Sequence, residues 1–216
     1  MFDYVFVDLD DTIFNNRQFK ADIFKILSVF GVKEADFNSA YKNAAELPMF
    51  GYFDYTFEKQ LEALRQMGYI LDDEVIITLN SLFNNNYAMP DAEDFLQFLQ
   101  CKAKEIILLT AGNHFFQDKK IRNTYLLKYF DRMEITDGGK DLILEKINLN
   151  KYKVLFINDN LEENKMIAQK FPEVLLLSQV NTTYWAEEEY KNAGLVYFQN
   201  LAEMKSYILK DQQLSC

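Results

Sequence analysis

Apolar residues along this chain gather in short, near-continuous runs separated by longer stretches of helical period. The runs are Tyr4 to Leu9, Glu105 to Leu109, Met133 to Thr136, Val154 to Ile157 and Val174 to Leu177, each the length of a strand. Strands apolar on both sides are buried on both faces, as in a parallel sheet covered by helices. Helical spacing recurs between them at Ala92 to Cys101, Phe116 to Leu127, Lys140 to Ile147 and Glu162 to Lys170. This alternation predicts an α/β fold with a doubly wound, mostly parallel sheet. Leu195 to Phe198 and Leu201 to Leu209 add an edge strand and a closing helix.

The interval between the first two strands is far too long for one crossover. Gln18 to Phe30, Ala35 to Leu47, Thr56 to Met67 and Asp72 to Asn84 have amphipathic spacing there, punctuated by Gly31, Pro48, Gly51 and Gly68. The pattern predicts a catalytic core of residues 1–16 and 87–216 with an inserted helical cap over 17–86. Asp91 and Asp94 are expected to cap the helix that returns to the core.

Composition narrows the partners. At 216 residues the chain can enclose a site without disulfides or a structural metal. Its net charge of -10 and scattered basic residues oppose nucleic acid. The opening MFDYVFVDLDD lacks a basic leader, and no run is long enough to cross a bilayer. Two cysteines make no disulfide framework and no zinc site, so a soluble protein of the reducing cytoplasm is expected. Dinucleotide and triphosphate glycine loops are absent.

The candidate chemistry lies at strand ends, where open parallel sheets bind ligands. VFVDLDDT puts Asp8 and Asp10 two residues apart at the end of the first strand, facing one site. Asp8 can attack a phosphate ester to form an aspartyl-phosphate while Asp10 protonates the leaving oxygen and later accepts a proton from water. Two carboxylates beside a phosphate require a hard cation, and Mg2+ suits oxygen ligands that leave room for water and phosphate. The same acids also serve to end a strand and hold a turn, so the cluster alone does not choose.

Other stations favour chemistry. Thr110 follows the second strand, where its hydroxyl and the N–H of Ala111 can hold a phosphoryl oxygen and Gly112 allows close approach; the competing role is a helix cap. Asn113, His114 and Gln117 are either supports or surface. Asp159 ends the strand VLFIN, and Glu163, four residues on, can close a magnesium site directly or through water. Lys140, after Gly138 and Gly139, is preferred over Lys146 as the cation that neutralises the nucleophile. In the cap, Arg17 can read a second anionic group, and Phe50, Tyr52, Phe53 and Tyr55 can surround a leaving group, pack the cap or form a partner face.

DLDDT at 8 to 12, Thr110, Lys140 and ND at 158 to 159 together resemble the haloacid dehalogenase superfamily of phosphatases, across most of the chain. The resemblance implies Asp8 as nucleophile, Asp10 as general acid/base, Thr110 and Lys140 around the phosphate, and Asp8, the Asp10 carbonyl and Asp159 on Mg2+. It also implies a first-type helical cap that selects the leaving group. Asn158 replaces the family's usual glycine, and Glu163 its more usual aspartate. Dehalogenases proper generally lack the second aspartate, so Asp10 favours a small-molecule phosphate monoester as substrate. A phosphomutase and a non-catalytic protein-binding scaffold are the alternatives.

Overall fold

The computed structural model describes residues 1–45, 54–147 and 149–210. Six strands, β1 (Phe2–Val7), β2 (Ala103–Ala111), β3 (Arg132–Thr136), β4 (Val154–Asn158), β5 (Leu175–Gln179) and β6 (Val196–Phe198), form one sheet. All pairings are parallel, in the order β3-β2-β1-β4-β5-β6. The chain adds β2 and β3 on one side of β1, then crosses to add β4, β5 and β6 on the other. The order therefore reverses between β1 and β4, opening a crevice at their carboxyl ends.

Alternate residues of the central strands feed two cores. Val5, Val7, Ile106, Leu108, Leu155 and Ile157 belong to one buried cluster, and Phe6, Ile107, Leu109 and Phe156 to the other. Helices α5 (Ala92–Gln100), α6 (His114–Arg122), α7 (Asp141–Leu144), α8 (Leu161–Lys170), α9 (Glu187–Asn192) and α10 (Leu201–Lys210) follow the turn of the chain through the core. Asp91 stands at the start of α5 but makes no side-chain capping bond, contrary to expectation. It takes a left-handed φ of 63°, and Asp94 pairs instead with Lys205.

Four helices lie between β1 and β2: α1 (Asn16–Val29), α2 (Glu34–Ala45), α3 (Phe57–Gln66) and α4 (Glu74–Ser81). Asn15 starts α1 by accepting from the Gln18 N–H, and Thr56 starts α3 by accepting from Lys59. The incoming and outgoing segments are laced together: Asn15 N–H donates to Tyr87 O at 2.7 Å and Met89 N–H to Ile13 O at 2.8 Å. Aromatic packing joins these helices to the core, because Phe116 of α6 lies 5.0 Å from the Phe57 ring and 5.1 Å from that of Phe83. The arrangement is an α/β fold with a parallel sheet and an inserted helical segment, as the spacing predicts.

Candidate active site

β1 delivers Asp8 to the crevice and β4 delivers Asp159 beside it, since the two strands are paired in register through Val7 and Ile157. Both carboxylates are nearly enclosed, with 4% and 8% exposure. Leu9 to Phe14 then folds back on itself: the N–H groups of Ile13 and Phe14 converge on Leu9 O, and Asp11 takes a left-handed φ of 53°. Aspartate tolerates that conformation better than most side chains. The turn brings Asp10 to the same cavity as Asp8 and puts the Thr12 hydroxyl 3.4 Å from Asp8 Oδ2.

Lys140, only 4% exposed, supplies the facing charge. Its Nζ donates to Asp8 Oδ1 at 2.7 Å, Glu163 Oε2 at 3.0 Å and Asn158 Oδ1 at 3.1 Å. Burial works against this ammonium, but Asp8 and Glu163 outweigh burial and hold it charged, above its usual range. Burial pushes the Asp8 carboxyl up to about 6 in spite of Lys140, with Glu163 and Asp10 adding to the rise. Asp159 is raised well above the ordinary range by burial and then by Asp8, against a hydrogen bond from Asn181. Two acids that resist ionising side by side form a site that gains from a cation.

Asn158 explains itself here. Fully buried, it accepts from Lys140 and donates to Glu163 at 3.1 Å and Asn164 at 2.8 Å. The amide thus braces the lysine and the glutamate, a task glycine cannot perform. Asn160 starts α8 by accepting from the Glu162 and Glu163 N–H groups, which fixes Glu163 over Lys140.

The cavity above these groups measures about 380 Å³ and is lined by Asp8, Asp10, Thr110, Ala111, Lys140, Asp159 and Glu163 among others. Asp8 and Asp10 follow β1, Thr110 and Ala111 end β2, Lys140 stands between β3 and α7, Asp159 follows β4, and Glu163 lies in the first turn of α8. The family model for haloacid dehalogenase-like hydrolases matches residues 2–169. The chain belongs to this family. No curated protein matches it. Among solved structures it resembles a haloacid dehalogenase-like hydrolase from Burkholderia xenovorans LB400, with a TM-score of 0.75, 19% identity and 99% of each chain covered. The HAD-hydrolase YfnB from Bacillus subtilis, bound to magnesium, gives a TM-score of 0.63 at 15% identity over 97% of this chain and 99% of that one. L-2-haloacid dehalogenase from Xanthobacter autotrophicus, with chloropropionic acid covalently bound, gives 0.64 at 15% identity over 98% and 100%. At such identities the likeness concerns the fold, and the chemistry must be read from the residues of this haloacid dehalogenase-like site.

The aromatic part of the cavity is only partly what the sequence suggests. Tyr55 lines it, with its ring 4.6 Å from that of Tyr41 and its hydroxyl donating to Gln60 at 2.5 Å. Tyr41, Phe116, Tyr184 and Trp185 also line it. Phe50, Tyr52 and Phe53 lie outside the described residues. Arg17 lines a neighbouring cavity with Gln179 and Asn181, and its guanidinium donates to Thr183. His114 and Lys146 are exposed, whereas Gln117 is buried and lines the site.

Sequence reading missed Lys120, Asn181 and Tyr190. Asn181 Nδ2 bridges Asp159 at 2.7 Å and Asp11 at 3.2 Å, and the Tyr190 hydroxyl donates to Asp159 O at 2.7 Å. Lys120 stands three residues after Gln117 on α6, a spacing that puts both on one helix face. That spacing links Lys120 to Gln117 but does not tell a buried helix face from a solvated one.

Among the described residues no group of three His, Cys, Asp or Glu side chains forms a ready-made cation site. The donors at hand are oxygens: the Asp8 and Asp159 carboxylates, which line one cavity together with Asp10. Two carboxylates, completed by water and phosphate, suit the incomplete protein coordination that magnesium accepts.

Proposed function

We propose that this chain is a magnesium-dependent phosphatase that hydrolyses a small-molecule phosphate monoester through an aspartyl-phosphate on Asp8. The observation that carries the reading is the presence of a second carboxylate, Asp10, in the cavity above the Asp8–Lys140 pair. A halide leaving group needs no proton, whereas an alkoxide does. Asp8 Oδ attacks phosphorus as the bond to the leaving oxygen breaks, and the Asp10 carboxyl gives that oxygen its proton. Water then attacks the aspartyl-phosphate, its proton passes to Asp10, and phosphate leaves.

Lys140 neutralises the nucleophile and the phosphoryl oxygens, and Thr110 with the Ala111 N–H holds a further oxygen. Asp8, Asp159 and the Asp10 carbonyl would hold Mg2+, which offsets phosphate charge when bound. We assign residues 17–86 to the cap, with Tyr41 and Tyr55 meeting the leaving group. A mutase must also hold a second phosphate. Among the described residues lining the cavity the cations are Lys120 and Lys140, each already paired with an aspartate. Simple hydrolysis fits that charge balance better. Cysteine usage suits the cytoplasm, and no helix among the described residues is long and apolar enough to cross a membrane.

The test is phosphate release from a diverse monoester panel, with magnesium omitted in parallel. We expect magnesium-dependent turnover that falls at least ~10³-fold in D8N, the scale seen when a nucleophile is removed. Release at wild-type rates by freshly purified D8N would refute the reading.

A further inference from the structure

Lys120 is a buried lysine with 6% exposure, carried on α6 far from the nucleophile's own lysine in sequence. Its Nζ donates to Asp10 Oδ1 at 2.7 Å and to Asn16 Oδ1 at 3.3 Å. Three rings surround the ammonium: Phe14 at 5.2 Å, Phe116 at 5.4 Å and Phe19 at 5.7 Å from their centroids. Cation–π attraction and the apolar walls hold the side chain in one place. Burying an ammonium is costly unless it is paired and hydrogen-bonded, and Asp10 is its ionic partner.

The other oxygen of Asp10 is held from the same helix. Gln117 Nε2 donates to Asp10 Oδ2 at 2.8 Å, to Thr110 Oγ1 at 3.0 Å and to Ala111 O at 3.0 Å. One amide nitrogen with two hydrogens is thus divided among three acceptors. The hydrogen bonds of the Lys120 ammonium to described residues thus bear on Asp10 and on Asn16, the first residue of α1.

We propose that Lys120, assisted by Gln117, is the positioning residue for the general acid: it fixes the plane of the Asp10 carboxyl so that its proton meets the leaving oxygen. The inference rests on the phosphatase reading above and assigns Lys120 no contact with substrate. In the first step the P–O bond to the leaving group breaks as the Asp8 Oδ–P bond forms, and the Asp10 proton moves to the departing oxygen. In the second, water oxygen bonds phosphorus, the Asp8 Oδ–P bond breaks, and a water proton restores the Asp10 carboxyl. Only the first transfer depends on how basic the departing oxygen is.

That dependence supplies the test. K120M keeps an unbranched apolar stem suited to the aromatic cage, and Q117L is a second variant should K120M fail to fold. Each is assayed as full chain with magnesium on a simple alkyl phosphate, whose alkoxide needs a proton to leave, and on a nitrophenyl phosphate, whose phenoxide does not. General acid catalysis contributes ~10²–10⁴-fold, so a misaligned acid should cost kcat/KM on the alkyl ester at least ~10-fold more than on the aryl ester. D10N should show the same asymmetry, and K120R should recover part of the alkyl rate. Equal losses of K120M on both esters, with wild-type turnover abolished in D8N, would overturn the positioning role and leave the phosphatase reading standing. Failure of wild-type protein to release phosphate from either ester or from the wider panel would remove both.

Discussion

Asp8 is buried beside Asp159 at the end of β1, and its ion pair with Lys140 does not offset the loss of water around its charge. Its carboxyl therefore titrates at about 6 in the fold against an ordinary 3.8. Below 3.8 both folded and unfolded carboxyls are protonated, and Asp8 takes nothing from stability. As pH rises from 3.8 to about 6 the unfolded chain ionises first, stability falls, and above that the loss is complete. The shift corresponds to about 3 kcal/mol. In chelator near neutral pH, D8N should therefore melt above wild type, with the two converging as pH falls towards 4; magnesium should then raise the wild-type Tm more than that of D8N. Coincident melts at both pH values, with or without magnesium, would show that the Asp8 charge is not a burden on the fold. Residues such as Asp8, Thr110 and Asp159 were legible because each closes an apolar run, and position at a strand end gives a polar residue meaning. Lys120 was not: a lysine among QDKKIR reads as a solvated helix face, and only tertiary packing against Phe14, Phe19 and Phe116 removes it from water.

Single elements differ in how plainly the sequence announces them. β4 is apolar from Val154 to Ile157 and β5 opens on three leucines, and the structure sets both at nearly the predicted positions. α6 ends at Arg122, short of the expected Leu127, because the chain turns through Tyr125 at a φ of 60°. α9 went unread: its sequence EEEYKN buries only Tyr190, so it has no apolar stripe to betray a helix. Phe116 of α6 is the element-scale link, packing on Phe57 of α3 and on Phe83 of the turn after α4 while lining the cavity. F116A should cost about 3–5 kcal/mol in a chemical denaturation curve, as for other buried phenylalanines. A Y41F change should lower kcat/KM for the best bulky ester more than for a small one, because remote binding energy is lost; Y55F should do the same and also cost about 1–3 kcal/mol of stability, since it leaves the buried Gln60 Oε1 without its donor. Equal losses on all esters would assign these tyrosines to packing.

Across the whole molecule, the order β3-β2-β1-β4-β5-β6 does one thing that no local pattern can: it sets the ends of β1 and β4 side by side. Two acids separated by 151 residues of sequence, Asp8 and Asp159, become neighbours there, with Lys140 reaching in from the turn before α7. The motif order in the sequence implied that meeting through the family resemblance; the bracing of Lys140 by Asn158 and Glu163 depended on packing and emerged only in three dimensions. The central claim is a covalent phosphoryl group on Asp8. It is tested most directly by acid-quenching the protein during turnover of a nitrophenyl phosphate, whose leaving group needs no proton, and weighing the peptide that contains Asp8, in wild type and in D10N, where slowed hydrolysis should let the intermediate accumulate. We expect that peptide to gain one phosphoryl group, on Asp8 and in D10N most of all. Phosphate release with an unmodified Asp8 peptide in both proteins, or the leaving group's carbon attached to Asp8 in place of phosphorus, would overturn the mechanism.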